Sequence, residues 1–125
     1  MIKINKQKQL VKVKEKKLAE NKESFLNQLS LGCEVLVGEL SFKIDSKQTD
    51  MALLSSKYQS LVSRGKTTFI LMDYDNIPRS LTIEELKEVL YQLDDYSDEM
   101  YNKKWSIREK ISLSKEKKEV EKNKW

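Results

Sequence analysis

The stretch CEVLVGELSFKID, residues 33–45, constrains the fold more than any other part of this chain. Gly38-Glu39 suits a two-residue type II′ loop, with glycine at the position that needs a positive φ. That turn dictates a register of Val37 with Leu40, Val35 with Phe42 and Cys33 with Ile44. All six are apolar and fall on one face, which must be covered. The opposite face sets Glu34 across from Lys43 and Leu36 across from Ser41. Cys33 reads as a small buried hydrophobe, since the chain has no histidine to activate it.

The cover has to come from helices. With three glycines and one proline in 125 residues, a barrel or sandwich lacks its turns. Residues 3–29 read as a helix with Ile4, Val11, Leu18, Phe25 and Leu29 as its apolar stripe, stopped by Gly32. Residues 46–65 read as a second helix, capped by Ser46 or Thr49 and ended by Gly65, with Met51, Leu54, Tyr58, Leu61 and Val62 at helical spacing. TTFILMDYD, 67–75, reads as a strand. Asp75-Asn76-Ile77-Pro78 makes a turn, and Arg79 to Leu81 a short return strand. Thr82-Ile83-Glu84-Glu85 is a capping box that starts a long helix with Ile83, Leu86, Val89, Leu90, Leu93, Met100 and Tyr101 inward. This helix either runs on through Trp105, Ile107 and Ile111 or restarts at a second capping box, Ser106 to Glu109. SKEKKEVEKNKW reads as a frayed tail.

RGKTTFILMD, 64–73, superficially combines two phosphate-handling signatures. A P-loop needs a strand before its glycines and a helix starting at its lysine. Here a helix precedes Gly65, a strand follows Lys66, and Ser60 stands where the first glycine belongs. The nucleotide-hydrolase reading fails on order alone. Asp73, Asp75 and Asn76 resemble the start of a calcium loop, but Pro78 and the missing twelfth-position glutamate break it, which leaves turn chemistry. No catalytic residue, cofactor or metal ligand is assigned, so a non-enzyme is expected.

Charge is segregated. Residues 1–22 hold eight lysines against Glu15 and Glu20, and 103–125 hold nine basic residues against four glutamates. The middle holds seven basic and fourteen acidic residues. The basic groups Lys12, Lys16, Lys17, Lys103, Lys104 and Arg108 and the acidic cluster Asp94, Asp95, Asp98 and Glu99 are therefore the candidate partner-binding residues. Solvated helix faces, a nucleic-acid footprint, or contact between basic ends and an acidic body of the same or a neighbouring chain all remain open. The five tyrosines read as core-edge residues rather than base-stacking platforms. MIKINKQKQL is basic but lacks the apolar core of a secretory signal, and no run is long enough to span a bilayer, so a cytosolic protein is expected.

The expected architecture is α+β: a small antiparallel sheet, from the 33–45 hairpin and the 67–75 strand, packed by two or three helices. Basic helical extensions stand at both ends. The divisions are 1–31 (basic helix), 32–112 (α+β domain) and 113–125 (basic polar tail). The order LSFKID, SLVSRG, TFILMDYDNIPRSLT, EELKEVLYQLDDY, with a further helical piece around Trp105 and Ile111, resembles a domain of unknown function in tailed-bacteriophage tail and tail-fibre assembly proteins. The resemblance covers roughly residues 32–112 and rests on Phe42, Asp45, Asp73, Asn76, Leu81 and Thr82. It implies a phage or prophage protein, in the bacterial cytoplasm or the virion, that binds another protein as a tail or tail-fibre accessory, a homo-oligomer being allowed. Two alternatives accompany it: a phage-encoded inhibitor of a host defence nuclease, such as an anti-CRISPR protein, and a direct nucleic-acid binder using its Lys-rich ends.

Overall fold

The computed structural model describes residues 2–125, with side chains from Lys6 onward. It is an α+β protein. Its elements run α1 (Ile2–Ser30), β1 (Cys33–Val37), β2 (Leu40–Ile44), α2 (Gln48–Ser63), β3 (Thr68–Met72), β4 (Pro78–Thr82), α3 (Ile83–Leu113) and α4 (Lys117–Glu121). α3 continues unbroken through Ser106, so no second capping box interrupts it. The chain forms two compact units, Gln28–Asp98 and the segments up to Asn27 and from Glu99 onward.

In the Gln28–Asp98 unit, β1 and β2 pair in the register that the turn dictates. Gly38 takes φ 62°, as a type II′ turn requires of its first central residue. Five of the six facing residues are buried, whereas Leu40, beside the turn, is exposed. Glu34 does not engage Lys43. It accepts the Ser41 hydroxyl at 3.0 Å, and the Lys43 ammonium lies over the Tyr74 ring. β3 and β4 form a separate antiparallel pair. The expected single sheet is thus two hairpins, joined by one backbone bond from Tyr74 N to Lys43 O at 2.8 Å. Leu61, Leu86, Val89 and Leu93 cover Val35, Phe42, Ile44 and Leu81, with Leu54, Tyr58, Phe69 and Leu71 half-buried around them. Each large side chain removed from water contributes about 1.5–3 kcal/mol.

The helix starts show which local signals held. Thr82 and Glu85 form the reciprocal capping box, at 2.9 and 3.1 Å. α2 starts differently from expectation. Neither Ser46 nor Thr49 caps it; Lys47 precedes the first turn and Asp50 accepts the Lys47 amide. Ser46 is instead buried and donates to Leu29 O at 2.6 Å, tying the end of α1 to the first hairpin. α2 ends before Gly65 and β3 follows Lys66, the order that excludes a phosphate loop.

The turn after β3 is organised by Asp73. Its Oδ1 accepts the amides of Asp75 and Ile77, both at 2.9 Å, and its Oδ2 accepts Arg79 Nε at 3.0 Å. Asn76 adopts φ 61°, the left-handed conformation that asparagine tolerates. Arg79 in turn lies 5.1 Å from the Phe42 ring centre, which couples the two hairpins. Burial pushes the Asp73 carboxyl up. The Ile77 amide, the Arg79 side chain and the Asp75 amide outweigh this, so the group ionises below its ordinary 3.8. A depressed carboxylate stabilises the fold above the unfolded value, and that contribution is lost as pH falls through the folded one. Asp73→Asn should therefore lower the urea midpoint at pH 7 and flatten its decline below pH 3.8, measured by urea titrations across that range.

In the other unit, α1 and α3 run antiparallel. Lys14 Nζ donates to Ser112 O at 2.9 Å, and Phe25 meets Tyr101 one end further on. Leu10, Val13 and Leu18 pack with Ile107, Ile111, Val120 and Trp125. Val11, expected in the stripe, is exposed. A strict seven-residue spacing drifts about 20° per heptad on a straight helix, so two heptads from Phe25 rotate Val11 out of the seam. The side chain of Ile4 lies outside the described residues. Nor does the tail fray: α4 forms, Val120 is fully buried, and Ser114 bonds back to Lys110 O. Sequence reasoning sees only a polar segment there, because Val120 has no apolar neighbour at helical spacing.

Gly32 sits at φ 85°, and a Cβ there would meet Lys43 and Tyr74 side-chain carbons at 2.8 Å. Gly32→Ala should cost about 1–2 kcal/mol for the left-handed backbone alone, with the contacts adding to it, readable as a drop in urea unfolding free energy.

Candidate functional site

α3 carries Tyr101, Lys104, Trp105 and Arg108 at spacings of three, four and seven, which puts them on one helical stripe. α1, antiparallel beside them, contributes Phe25 and Asn21. The segment after α4 contributes Trp125. The rings make a chain: Phe25 and Tyr101 centroids lie 5.4 Å apart edge to face, Tyr101 and Trp105 are 6.3 Å apart, and Phe25 and Trp125 are 6.2 Å apart.

Three cations sit over these rings. Lys104 Nζ is 4.7 Å from the Phe25 centroid and 5.3 Å from Tyr101. Lys103 Nζ is 5.0 Å from Trp125, and Arg108 Cζ is 4.7 Å from Trp105. Each such contact is worth roughly 0.5–1 kcal/mol at an exposed site and fixes the cation's direction. Phe25 is buried, while Tyr101 and Trp105 are 39% and 49% exposed. The expectation that Tyr101 faces inward is corrected: its ring edge packs on Phe25 and the rest of it meets solvent.

Beneath the rings lies a buried amide. Asn21 Nδ2 donates to Lys104 O at 3.0 Å, and Asn21 Oδ1 accepts Trp125 Nε1 at 2.6 Å. A buried carboxamide without partners costs about 1–3 kcal/mol, so these two bonds fix α1 against α3 and hold Trp125 in place.

Among the sequence-predicted residues, Lys103, Lys104 and Arg108 are brought together here. Lys17 borders the same place: it is half-buried, pairs with Glu20 at 3.6 Å and lines a shallow pocket with Asn21 and Trp125. Lys12 and Lys16 are exposed one turn apart on α1 and make no ion pair or ring contact among the described residues. Glu99 is exposed in this unit. Asp94, Asp95 and Asp98 are exposed on α3 in the other unit, where Asp94 borders a groove between α2 and α3. No cluster among the described residues has metal-ligand geometry. Sequence reasoning missed Asn21 and Trp125 as site residues. The available signal was a tryptophan in an otherwise polar segment, which has to bury its ring somewhere.

The chain matches no family model, no curated protein and no solved structure. No helix among the described residues is long and apolar enough to cross a membrane.

Asn21→Ala should lower unfolding free energy by about 1–3 kcal/mol and release Trp125. In a Trp105→Phe background the remaining tryptophan emission should shift to the red.

Proposed function

We propose that this chain is a non-catalytic binding protein, a tail or tail-fibre accessory of a phage or prophage that works by attaching to another protein. The observation that supports binding is the exposed Tyr101–Trp105–Arg108 stripe. Tyrosine, tryptophan and arginine carry most of the energy at protein interfaces, because they bury large area at low entropic cost while keeping a polar tip. Lys103, Lys104 and Arg108 flank the rings, so the complementary partner surface is acidic. Cations already held over rings lose little freedom on binding, which reduces the ordering cost. The phage setting rests on the resemblance of residues 32–112 and on nothing in the site itself.

Rings interleaved with cations also suit single-stranded nucleic acid, where bases stack and phosphates pair with lysine. Salt separates the two readings, since phosphate binding releases counterions and weakens steeply as salt rises.

The test is capture of partners from phage-infected cells by tagged protein, read by mass spectrometry at two salt concentrations. The wild type should retain a tail or fibre subunit. Trp105→Ala with Arg108→Ala should reduce that capture on the order of tenfold or more. Equal capture by the double variant would move the interface elsewhere. Recovery of a host nuclease complex, or of nucleic acid lost at the higher salt, would overturn the tail reading.

A further inference from the structure

Both hairpins are two-stranded, so every strand has an open edge. In an antiparallel pair, alternate residues turn their N–H and C=O groups away from the partner strand. Three of the four edges are covered in part. On β1 the outward residue Leu36 is clamped by Gln92, whose side chain accepts Leu36 N at 2.8 Å and donates to Leu36 O at 2.7 Å. On β2 the outward Lys43 carbonyl takes the Tyr74 amide. On β4 the outward positions are Pro78, which has no N–H, Ser80, and Thr82, whose N–H is taken by Glu85. Proline and covering side chains are the usual ways of blunting a sheet edge.

Along Thr68–Met72, β3 has no such device, and its outward edge is covered only just beyond, where the Tyr74 amide reaches Lys43. Bonds from Asp73 N to Ile77 O and from Ile83 N to Thr67 O place the odd-numbered residues on the β4 side. Thr68, Ile70 and Met72 therefore point their backbone groups outward, and no partner takes them among the described residues. Ile70 and Met72 are 63% and 51% exposed. A groove runs beside the strand, with Phe69 and Leu71 on one wall and Leu53 and Leu54 of α2 on the other, and Asp45, Asp50 and Lys57 also line it.

We infer that β3 is the edge through which two copies of this chain pair, antiparallel, about a two-fold axis at Ile70. The strand is self-complementary in that arrangement. Ile70 meets the second copy's Ile70, Phe69 its Leu71, and Thr68 its Met72. All three outward-pointing residues exchange their backbone groups, and a one-residue slip would lose that match. Charge agrees with it. Exposed Arg64 and Lys66 precede the strand, exposed Asp75 follows it, and the Tyr74–Lys43 bond brings Asp45 to that same end together with Lys43, whose ammonium is held over the Tyr74 ring. Antiparallel pairing sets Arg64 and Lys66 of each copy against the end of the other that carries Asp75 and Asp45, where the two carboxylates outnumber Lys43, and a two-fold axis does so twice. This surface is distinct from the tryptophan stripe, so the inference goes beyond the proposed function and does not depend on it.

The experiment is sedimentation velocity of the full chain from micromolar to millimolar concentration. The wild type should reach twice the single-chain mass. Ile70→Lys puts two like charges across the axis and should sediment as a single chain, as should Ile70→Glu. Ile70 is exposed, so both variants should keep the wild-type circular dichroism. Mixing the two should restore the two-chain mass, because position 70 faces only itself. Trp105→Ala with Arg108→Ala should stay paired. A wild type that remains a single chain throughout, as for an edge reserved for another protein's strand, overturns the inference. So does an Ile70→Lys variant that still pairs, or a mixture that does not.

Discussion

The ring surface depends on one buried amide. Asn21 has its Nδ2 on the Lys104 carbonyl and its Oδ1 on the Trp125 indole. Apolar contacts such as those of Leu10, Val13 and Leu18 are non-directional and would tolerate a helix sliding past its neighbour. A carboxamide deprived of its partners would not, because the low-dielectric surroundings magnify the loss. The amide therefore selects one axial alignment of α1 and α3. Phe25 then falls opposite Tyr101, and Lys104 lies over both. The same bond explains why Trp125 is ordered enough to receive Lys103.

A comparable economy operates in the Gln28–Asp98 unit. Here backbone polarity is managed by single side chains. Gln92 imitates a neighbouring strand to Leu36, Glu85 serves both the start of α3 and the end of β4, and Asp73 satisfies two amides while holding Arg79 over Phe42. A continuous sheet would have met these needs with main-chain ladders. Because β2 and β3 share only the Tyr74–Lys43 bond, side chains take over the role elsewhere, and Thr68, Ile70 and Met72 of β3 are left without partners among the described residues.

What the sequence made legible was local. The first hairpin could be read to the residue, since turn type and alternation both act within a dozen positions. The Thr82–Glu85 box was equally plain. What failed depended on distant partners. Ser46 has the chemistry of a cap but is taken by Leu29, seventeen residues away. Val11 fits a heptad, but the drift of that spacing on a straight helix turns it away from the seam, and it is exposed. Val120 and Trp125 look unsupported until α1 and α3 are beside them. For the candidate surface, Lys103, Lys104 and Arg108 could be named from charge. Their arrangement could not, because it needs Phe25 from another helix.

The exposed apolar residues carry weight because this chain has so few to spare. With 38% apolar against 35% charged residues, both cores are small and each buried side chain counts. A Trp or Ile left in water forgoes about 1.5–3 kcal/mol that burial would contribute. Trp105 and Ile70 are both left there, in different units and on regular elements whose backbones are already fixed. Neither is excluded from its core by charge, and each lies within a patterned array, one of cations over rings and one of unpaired strand groups. Apolar area of that kind is withheld from folding and is therefore available to association, where the ordering cost of the backbone has already been met.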